Sequence, residues 1–267
     1  GVVNTGFIEV GSIEQVEIGF RFRRTVSFQG SFMDPVIIGG IPRTTNSRGN
    51  GAVTRLHGWS LDEKTFEMFL DVPKSNGHQC GRFHNAPETV SWMLLEAGAW
   101  QSTNQVQRNS TSEGVAVTHG AIEAGSGVYG LCSGGPLCTE ANGCNTCDSM
   151  TGFEWHTVQF EIPHPDPIVL AQIQSYHGHD WVTHRLQRVS QEGFQIRQQE
   201  DGTDGSHVSE ILGWVVFSNG AGWFDDRRQR MLDYHAIRTS ESLTSDSYTI
   251  PFGGEFSHTP ALFGSLQ

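Results

Sequence analysis

A near-copy of one short segment, 114 residues further along the chain, constrains the fold more than any other feature. GFIEVGS at 6–12 returns as GAIEAGS at 120–126, and the related HAIRTSE begins 115 residues later at His235. Such a spacing is the length of one compact domain, and self-similarity at a fixed period is typical of a tandem array. The sequence therefore predicts repeated domains.

The order of motifs after each copy is also preserved. TVSFQGSFMDPVIIGGI at 25–41 and TVQFEIPHPDPIVLAQI at 157–173 have the same length, and TIPFGGEFSHTPALFGSL at 249–266 is one residue longer. Further along, VTRLHGWS at 53–60 corresponds to THRLQRVS at 183–190, and each is followed by a predicted strand that begins with an aromatic residue. TVSWMLLEAGAW at 89–100 corresponds to EILGWVVFSNGAGW at 210–223. Period-two alternation and frequent turns indicate antiparallel strands. We predict an all-β protein of tandem antiparallel sandwiches.

Three units follow from this alignment. Residues 1–104 form the first sandwich, residues 105–229 the second with a Cys-rich insert at 131–149, and residues 230–267 begin a third repeat that stops after its second strand. Since two strands cannot close a sandwich, we expect either that the chain continues, which we favour, or that these strands complete a neighbour. The predicted inward residues are Val26, Phe28, Ile37, Phe66 and Trp92 in the first unit, and Val158, Phe160, Val169, Phe194 and Trp214 in the second.

Composition excludes some classes of function. The net charge is -12, with 15 Arg and 2 Lys, whereas phosphate binding needs clustered positive charge; we expect no nucleic-acid partner. No apolar run has the 18 or more residues of a membrane span. The chain has neither an initiator Met nor a signal-peptide pattern, so we expect a processed product or an excised piece.

Cysteine placement indicates an oxidising compartment. Four thiols lie in the Gly-rich insert GLCSGGPLCTEANGCNTCDSM, which has no core of its own, so two disulfides are expected and with them a secreted or cell-surface location. The alternative is a four-thiolate zinc site, although the insert has only one CxxC pair where a zinc ribbon has two. The residues are Cys132, Cys138, Cys144 and Cys147, with Cys80 left over as a free or interchain thiol and Asn109 in a glycosylation sequon.

The order of motifs resembles the H-type lectin family, the β-sandwich of snail agglutinins and of the C-terminal domain of discoidins. The family pattern of Gly-x-Ile, a strand ending in Phe, Pro before an apolar strand, an Arg-containing strand, a GF turn and a closing Trp strand stands here as Gly120 and Ile122, TVQF, DPIVLAQI, HRLQRVSQEGF and ILGWVV. The first unit carries the same series. The resemblance covers nearly the whole chain and rests mainly on core and turn residues.

This resemblance implies trimers that bind galactose-type sugars through an Asp, an Arg and an aromatic pair. The chain departs from the family at these positions, since Trp181 stands where the family has its sugar-binding Arg and Gly51 stands there in the first unit. A tryptophan face can still pack against the C–H groups of a sugar ring. The candidate carbohydrate-binding residues are Trp181, Arg185, Asp201 and His207 in the second unit, and Arg82, Phe83 and His84 in the long loop of the first.

Closely spaced carboxylates in EDGTDGSH suit a hard cation such as calcium, because calcium prefers oxygen ligands around a tight turn. The candidate ligands are Glu200, Asp201 and Asp204. His177 and His179, near His184 in the motif frame, are candidates for a transition metal. The ordinary alternative for both groups is a solvated hairpin loop.

Two functions of different classes remain open at this stage. One is a secreted or cell-surface carbohydrate-binding, adhesive array, whose weak sites gain avidity by repetition and whose partners are glycans, glycoproteins and further copies or neighbouring repeats. The other is a structural subunit of an extracellular filament, sheath or matrix in which sugar binding is lost. Catalysis is not expected, because the chain has no G-x-S-x-G, H-E-x-x-H or phosphate-cradling motif.

Overall fold

The structure is a computed structural model. It describes residues 8–16, 22–41, 53–71, 74–75, 78–79, 88–101, 121–128, 155–178, 182–200, 209–225, 231–239, 250 and 260–265. These residues form strands, turns and connecting segments and contain no α-helix. Every strand pairing among them is antiparallel, which confirms the predicted all-β, antiparallel class.

The first sandwich consists of two three-stranded sheets. One has the order β1-β8-β3 and the other β2-β5-β4. A two-stranded hairpin, β6-β7, follows β5. The strands are β1 Ile8–Val16, β2 Arg24–Ser27, β3 Pro35–Gly39, β4 Val53–Ser60, β5 Thr65–Asp71, β6 Lys74–Ser75, β7 His78–Gln79 and β8 Glu88–Glu96.

The second sandwich repeats this arrangement. Its sheets have the orders β12-β15-β10-β9 and β11-β14-β13, so β10 to β15 correspond in turn to β1 to β5 and β8. The strands are β9 Gly98–Gln101, β10 Ala121–Val128, β11 His156–Gln159, β12 Pro167–Ile173, β13 Val182–Ser190, β14 Gly193–Glu200 and β15 Ile211–Ser218.

Strand β9 joins the two sandwiches. It follows the closing strand of the first sandwich, within the range 1–104 predicted for the first unit, yet it pairs with β10 at the edge of the second sandwich's sheet. The same connection recurs one repeat later, where β16 (Gly220–Asp225) pairs with β17 (Met231–Ala236). Each closing strand is thus followed by a strand that pairs with the start of the next repeat.

Each sandwich has its own apolar core between its two sheets. In the first, Phe66 packs edge-on against Trp92 at a centroid distance of 5.5 Å, and in the second Phe194 packs in the same way against Trp214, also at 5.5 Å. The residues predicted to face inward lie in these cores. All are buried except Phe160, which is partly buried and packs against its core.

The glutamate of the repeated motif fixes the turn that follows the second strand. The carboxylate of Glu9 accepts hydrogen bonds from the backbone N–H groups of Gln29 and Gly30 at 2.9–3.0 Å. Glu123 does the same for residues 161 and 162 at 2.9 and 3.3 Å. These bonds satisfy turn donors that have no ladder partner, which explains why both copies read Ile-Glu.

The second glycine of the motif makes room for the core tryptophan. Gly11 lies opposite Trp92 in the β1–β8 register, and Gly125 lies opposite Trp214 in the β10–β15 register. A Cβ at Gly11 would lie 2.4 Å from Cζ2 of Trp92, and one at Gly125 would lie 2.7 Å from Cζ2 of Trp214. Any side chain at these two positions would displace the indole, so the repeat preserves a steric requirement.

A third apolar cluster lies between the sandwiches, and we call it the central core. It explains why the β3, β8, β12 and β15 segments read as continuous apolar runs, since strands buried on both faces lose the alternating pattern. Its buried members are Val36, Ile38, Met93, Leu95, Ile122, Ala124, Ile168, Leu170, Val215, Phe217 and Ala236, with Ile8, Ala97, Tyr234 and Phe263 packed against them.

The residues from β17 onward that the structure describes, which we call the third segment, also contribute to the central core. Aligned on Pro35, Pro167 and Pro260, the sequence gives Phe263 the position of Ile38 and Leu170. All three pack into the central core. The proline-led strands β3 and β12 and the proline-led segment 260–265, which is not a strand, therefore meet around one apolar centre.

The contacts between repeats run in one rotational sense. The second sandwich bonds to the first, the first to the third segment, and the third segment to the second. The contacts are the Gln174 side chain with the backbone of Ile37 at 2.6 and 2.9 Å, the Ile41 N–H with the Leu262 carbonyl at 3.3 Å, and Ser265 Oγ with His184 Nε2 at 3.0 Å. This is a cyclic arrangement with approximate threefold character.

The third repeat is offset from its sequence alignment. The motif alignment places Ile237 against Ile122, but Gly220 lies opposite Ala236 as Gly98 lies opposite Ala124, so Tyr234 takes the position of Ile122. Tyr234 packs against the central core, where burial raises the pKa of its phenol to about 12, and Ile237 is 36% exposed. Core packing sets this register, and the local likeness of HAIRTSE to GAIEAGS does not.

Candidate binding surface between the sandwiches

Two glutamines of the second sandwich cover an edge of the first. The side-chain amide of Gln174 accepts from the N–H of Ile37 at 2.9 Å and donates to its carbonyl at 2.6 Å. Gln172 donates to the carbonyl of Thr54 at 2.7 Å. Since β3 pairs with β8 alone among the described strands, Gln174 satisfies backbone groups on its open side. The two sandwiches are thereby held in a defined register.

We call the buried polar contact between the sandwiches the seam: Arg55 and Asp71 on the first sandwich, and Glu210 with residues 175–178 on the second. Arg55 of β4 is its charged centre, and only 1% of its side chain is exposed. Its guanidinium donates to Asp71 of its own sandwich at 3.1 Å and lies 3.5 Å from the carboxylate of Glu210 in the second sandwich. It also lies 4.6 Å from the ring centroid of Tyr176, a cation–π distance. One buried cation therefore connects both sandwiches.

Glu210 is fully buried and has a full set of donors. It accepts from the Ser175 hydroxyl at 2.6 Å, from the N–H of His177 at 3.0 Å and from the N–H of Gly178 at 3.3 Å. A buried carboxylate persists only when it is paired and hydrogen-bonded. The segment 175–178 thus forms the anion-binding half of the seam and Arg55 its cationic half.

A second polar group lies beside the seam, with His57 on β4, Glu67 on β5 and Arg23 directly before β2. We call these three residues the rim cluster. His57 Nδ1 lies 2.7 Å from Glu67 Oε2, and Arg23 Nη1 lies 3.1 Å from His57 Nε2. A tautomer with the proton on Nδ1 makes both contacts favourable, because Nε2 then accepts from Arg23. About a third of each side chain is exposed.

The ring of Tyr176 from the second sandwich lies 5.7 Å from the His57 ring, centroid to centroid, at the border of the rim cluster. The surface therefore combines partly exposed hydrogen-bonding groups with an aromatic ring. Residues of both sandwiches contribute to it. Such a combination suits a ligand with hydroxyl groups and an apolar face.

The corresponding surface of the second sandwich has different chemistry. Gln187 and Gln195 stand where His57 and Glu67 stand in the first, and they share a hydrogen bond of 2.9 Å. Gln195 also bonds to Thr157 at 3.3 Å. Next to them, Arg197 lies 4.6 Å from the ring centroid of Trp155. The repeats thus share a framework and differ in the charges that they display.

A cavity of about 130 Å³ lies where the two sandwiches and the third segment meet. It is lined by the ends of β3 and β12, the starts of β4 and β13, and Gly264. His184 borders this cavity, and removal from water, with the nearby Arg185 cation, lowers its pKa to about 4. Its imidazole is therefore neutral at physiological pH and bonds to Ser265.

Of the sugar-site residues predicted from sequence, Arg185 is the one whose side chain the structure describes. It is exposed and donates from Nε to Oε1 of Gln199 at 2.6 Å. The others lie outside the described residues: Trp181, Asp201, His207, Arg82, Phe83 and His84. The same holds for Cys80, Cys132, Cys138, Cys144, Cys147 and Asn109.

The metal predictions fall mostly outside the part of the chain that the structure describes. Glu200 is the last residue of β14, whereas Asp201, Asp204 and His179 are not described. His177 lies with Nδ1 2.8 Å from the carbonyl of Ser209. Within the described ranges, no three His, Cys, Asp or Glu side chains come together as a metal site.

Sequence reasoning missed the seam and the rim cluster. A signal for the seam was present, because a glutamate begins the closing strand region in both repeats, as Glu88 and Glu210, and both side chains are buried. A charged residue repeated at one core-facing position indicates a structural carboxylate. The residue types of the rim cluster are not repeated, since Gln187 and Gln195 stand in place of His57 and Glu67, and so the repeat gave no such signal for this surface.

Comparisons of the chain with protein-family models, with curated proteins and with solved structures found no match. Among the described residues, no helix has the length and apolar character needed to cross a membrane.

Proposed function

We propose that this chain is a secreted or cell-surface adhesive protein that binds carbohydrate through H-type lectin-like sandwiches. The observation that carries the proposal is the cyclic packing of three repeats around the central core. The resemblance seen in the sequence implies a trimer, and the contacts of this single chain have the same approximate symmetry. The role proposed is binding without catalysis, with glycans or glycoproteins as partners.

The strand order supports the same proposal. In the first sandwich, the segment from the Ile of Gly-x-Ile onward is β1, and the next three motifs, the strand ending in Phe, the proline-led strand and the Arg-containing strand, are β2 to β4. The strand after the turn is β5 and the Trp strand is β8. The corresponding strands are β10 to β15 in the second sandwich. Each motif that carries the resemblance therefore coincides with one strand.

We assign the glycan site to the rim cluster together with Tyr176. Arg23, His57 and Glu67 offer donors and acceptors to hydroxyl groups, and the ring of Tyr176 offers an apolar face. The Arg of the Arg-containing strand does not serve in the first sandwich, because Arg55 is buried between Asp71 and Glu210. For Arg185 in the second sandwich, sugar binding stays a prediction.

The test is binding to a glycan array, followed by calorimetry with the best glycan. We expect Arg23→Ala and His57→Ala each to weaken binding about tenfold, which is the effect of losing one or two hydrogen bonds of about 1.4 kcal/mol in total. Arg188→Ala is the control, because Arg188 is an exposed arginine on β13 of the second sandwich, whereas the rim cluster belongs to the first. Unchanged binding by the rim variants, or absence of any saturable glycan binding, would refute the proposal.

The structural role is a second candidate function, favoured by the buried ion pair of Arg55 and Glu210. A buried ion pair between the sandwiches favours one relative orientation of the repeats, which suits a filament, sheath or matrix subunit. Electron microscopy separates the two functions. Regular polymers joined by interchain disulfides through Cys80 support the structural role, and dispersed single particles that bind glycan support the adhesive role.

A further inference from the structure

Arg185 stands at the position of Arg55 in the second sandwich and makes the equivalent contact within its own sandwich. Strand β13 corresponds to β4 and β14 to β5, so Arg185 and Gln199 stand where Arg55 and Asp71 stand. Arg185 donates to Gln199 at 2.6 Å as Arg55 donates to Asp71 at 3.1 Å. The difference lies in burial, because Arg55 is covered by the following repeat and Arg185 is exposed.

The third segment already makes the first contact of an equivalent seam. Ser265 corresponds to Gln172 and His184 to Thr54 in the alignment on the three prolines and on the Arg-containing strands. Gln172 bonds to Thr54 next to Arg55, and Ser265 bonds to His184 next to Arg185. The third segment therefore approaches the second sandwich as the second approaches the first.

The third segment also presents the inner face of a sandwich. Leu262 corresponds to Ile37 and Val169, which are fully buried in their cores, whereas Leu262 is 51% exposed. In sequence, Gln267 corresponds to Gln174, the residue type that covers the β3 edge. One further sandwich of the same kind would therefore cover both surfaces. It would lie against Arg185, and its core would enclose Leu262.

We propose that Arg185 is the docking point for a third sandwich, which places a carboxylate and an aromatic ring against it as Glu210 and Tyr176 lie against Arg55. Continuity with the seam between the first two sandwiches carries the proposal. The docked carboxylate neutralises Arg185, and the aromatic ring covers its guanidinium. The inference is independent of glycan binding at the rim cluster, and it gives Arg185 a docking role in place of the sugar-binding role predicted from sequence.

The chain itself supplies the probe. Residues 260–267 align with 167–174, so a chimera in which Gln267 is followed by a copy of residues 175–218 provides a third sandwich with its own copies of Tyr176 and Glu210. Phenylglyoxal modification followed by mass spectrometry reports arginine accessibility. We expect Arg185 to react in the 267-residue chain and to be protected at least fivefold in the chimera, while Arg188 reacts in both.

A second variant tests the charge. Arg185→Ala is expected to lower the Tm of the chimera by about 5 °C, because it leaves the grafted carboxylate buried without its cation, and to leave the Tm of the 267-residue chain unchanged within about 1 °C. Arg188→Ala should act equally in both proteins. Equal reactivity of Arg185 in chimera and parent, proteolytic loss of the grafted residues, or equal Tm changes would overturn the proposal.

Discussion

Neutralising Glu210 is the sharpest test of the seam. Glu210→Gln keeps the shape of the side chain but removes the charge that lies 3.5 Å from the buried Arg55. It also brings an amide N–H₂ group into a site built of donors, namely the Ser175 hydroxyl and the N–H groups of His177 and Gly178. At least one donor must then face another.

The magnitude follows from what Arg55 retains. Breaking a buried pair by removing one partner costs about 3–5 kcal/mol. Arg55 still has Asp71 at 3.1 Å, which is 21% exposed, and the Tyr176 ring, so we take the lower end, about 3 kcal/mol. That is a large part of the stability of a typical domain, about 5–15 kcal/mol. With a urea m-value of about 3 kcal/mol per molar, the unfolding midpoint falls by about 1 M.

The assay is urea unfolding followed by tryptophan fluorescence, with Glu192→Gln as the exposed control, expected to change stability by less than about 0.5 kcal/mol. The double variant with Arg55→Met removes cation and anion together. The double variant should lose at least about 1 kcal/mol less free energy of unfolding than the two single variants lose together, because it leaves neither Arg55 nor Glu210 as an unpaired buried charge. Additive effects, or a Glu210→Gln protein as stable as the control, would refute the ion pair across the seam.

Three further predictions test the core and its titration. Gly125→Ala should destabilise by about 1–3 kcal/mol, since its Cβ would meet Trp214 at 2.7 Å, whereas Gly58→Ala, with no atom within 4 Å, should be nearly neutral in the same urea assay. His164→Phe, which installs the residue type of Phe32 at the equivalent buried position, should leave the free energy of unfolding unchanged or raise it by up to about 1 kcal/mol. The pKa of His184, about 4 when folded and 6.5 as a reference, makes the native state bind its proton less readily than the unfolded state, so the free energy of unfolding should fall as pH is lowered from about 6.5 to 4.

Each of these has a clear contrary result. Equal midpoints for the two glycine variants would mean that the indole has room to move. A large loss of stability in His164→Phe would show that the contact of His164 with Glu123, 3.5 Å away, matters more than apolar packing. For His184, the control is His184→Thr, the residue type of the first sandwich, and an unchanged pH profile in that variant would exclude His184 as the titrating group.

The sequence predicted the sandwich strands and their inward residues because one face of each outer strand meets solvent. Val26 and Phe66, for example, alternate with polar neighbours on β2 and β5, and both are buried. The repeat made these assignments stronger, since Val158 and Phe194 stand at matching positions. Period-two patterning carries this information directly.

The seam could not be derived in the same way. Whether the apolar runs in β3 and β12 pack against another sandwich or against a partner chain is not encoded in their periodicity. Arg55 reads as an ordinary surface arginine until Glu210, 155 residues later, is known to lie against it. Arg185, the predicted sugar-binding residue that the structure describes, lies on β13. In the rim cluster, His57 and Glu67 lie on β4 and β5, and His57 contacts Tyr176 of the next repeat, a contact that no local pattern indicates.

Strand β9 has a consequence for how such a protein is made and enlarged. Because N-terminal domains fold first during synthesis, β9 would follow a completed first sandwich and offer its edge to β10 of the next repeat. Duplication of the gene segment that encodes β1 to β9 would copy the sandwich together with the strand that pairs with the next repeat. New repeats could then be added without inventing a linker.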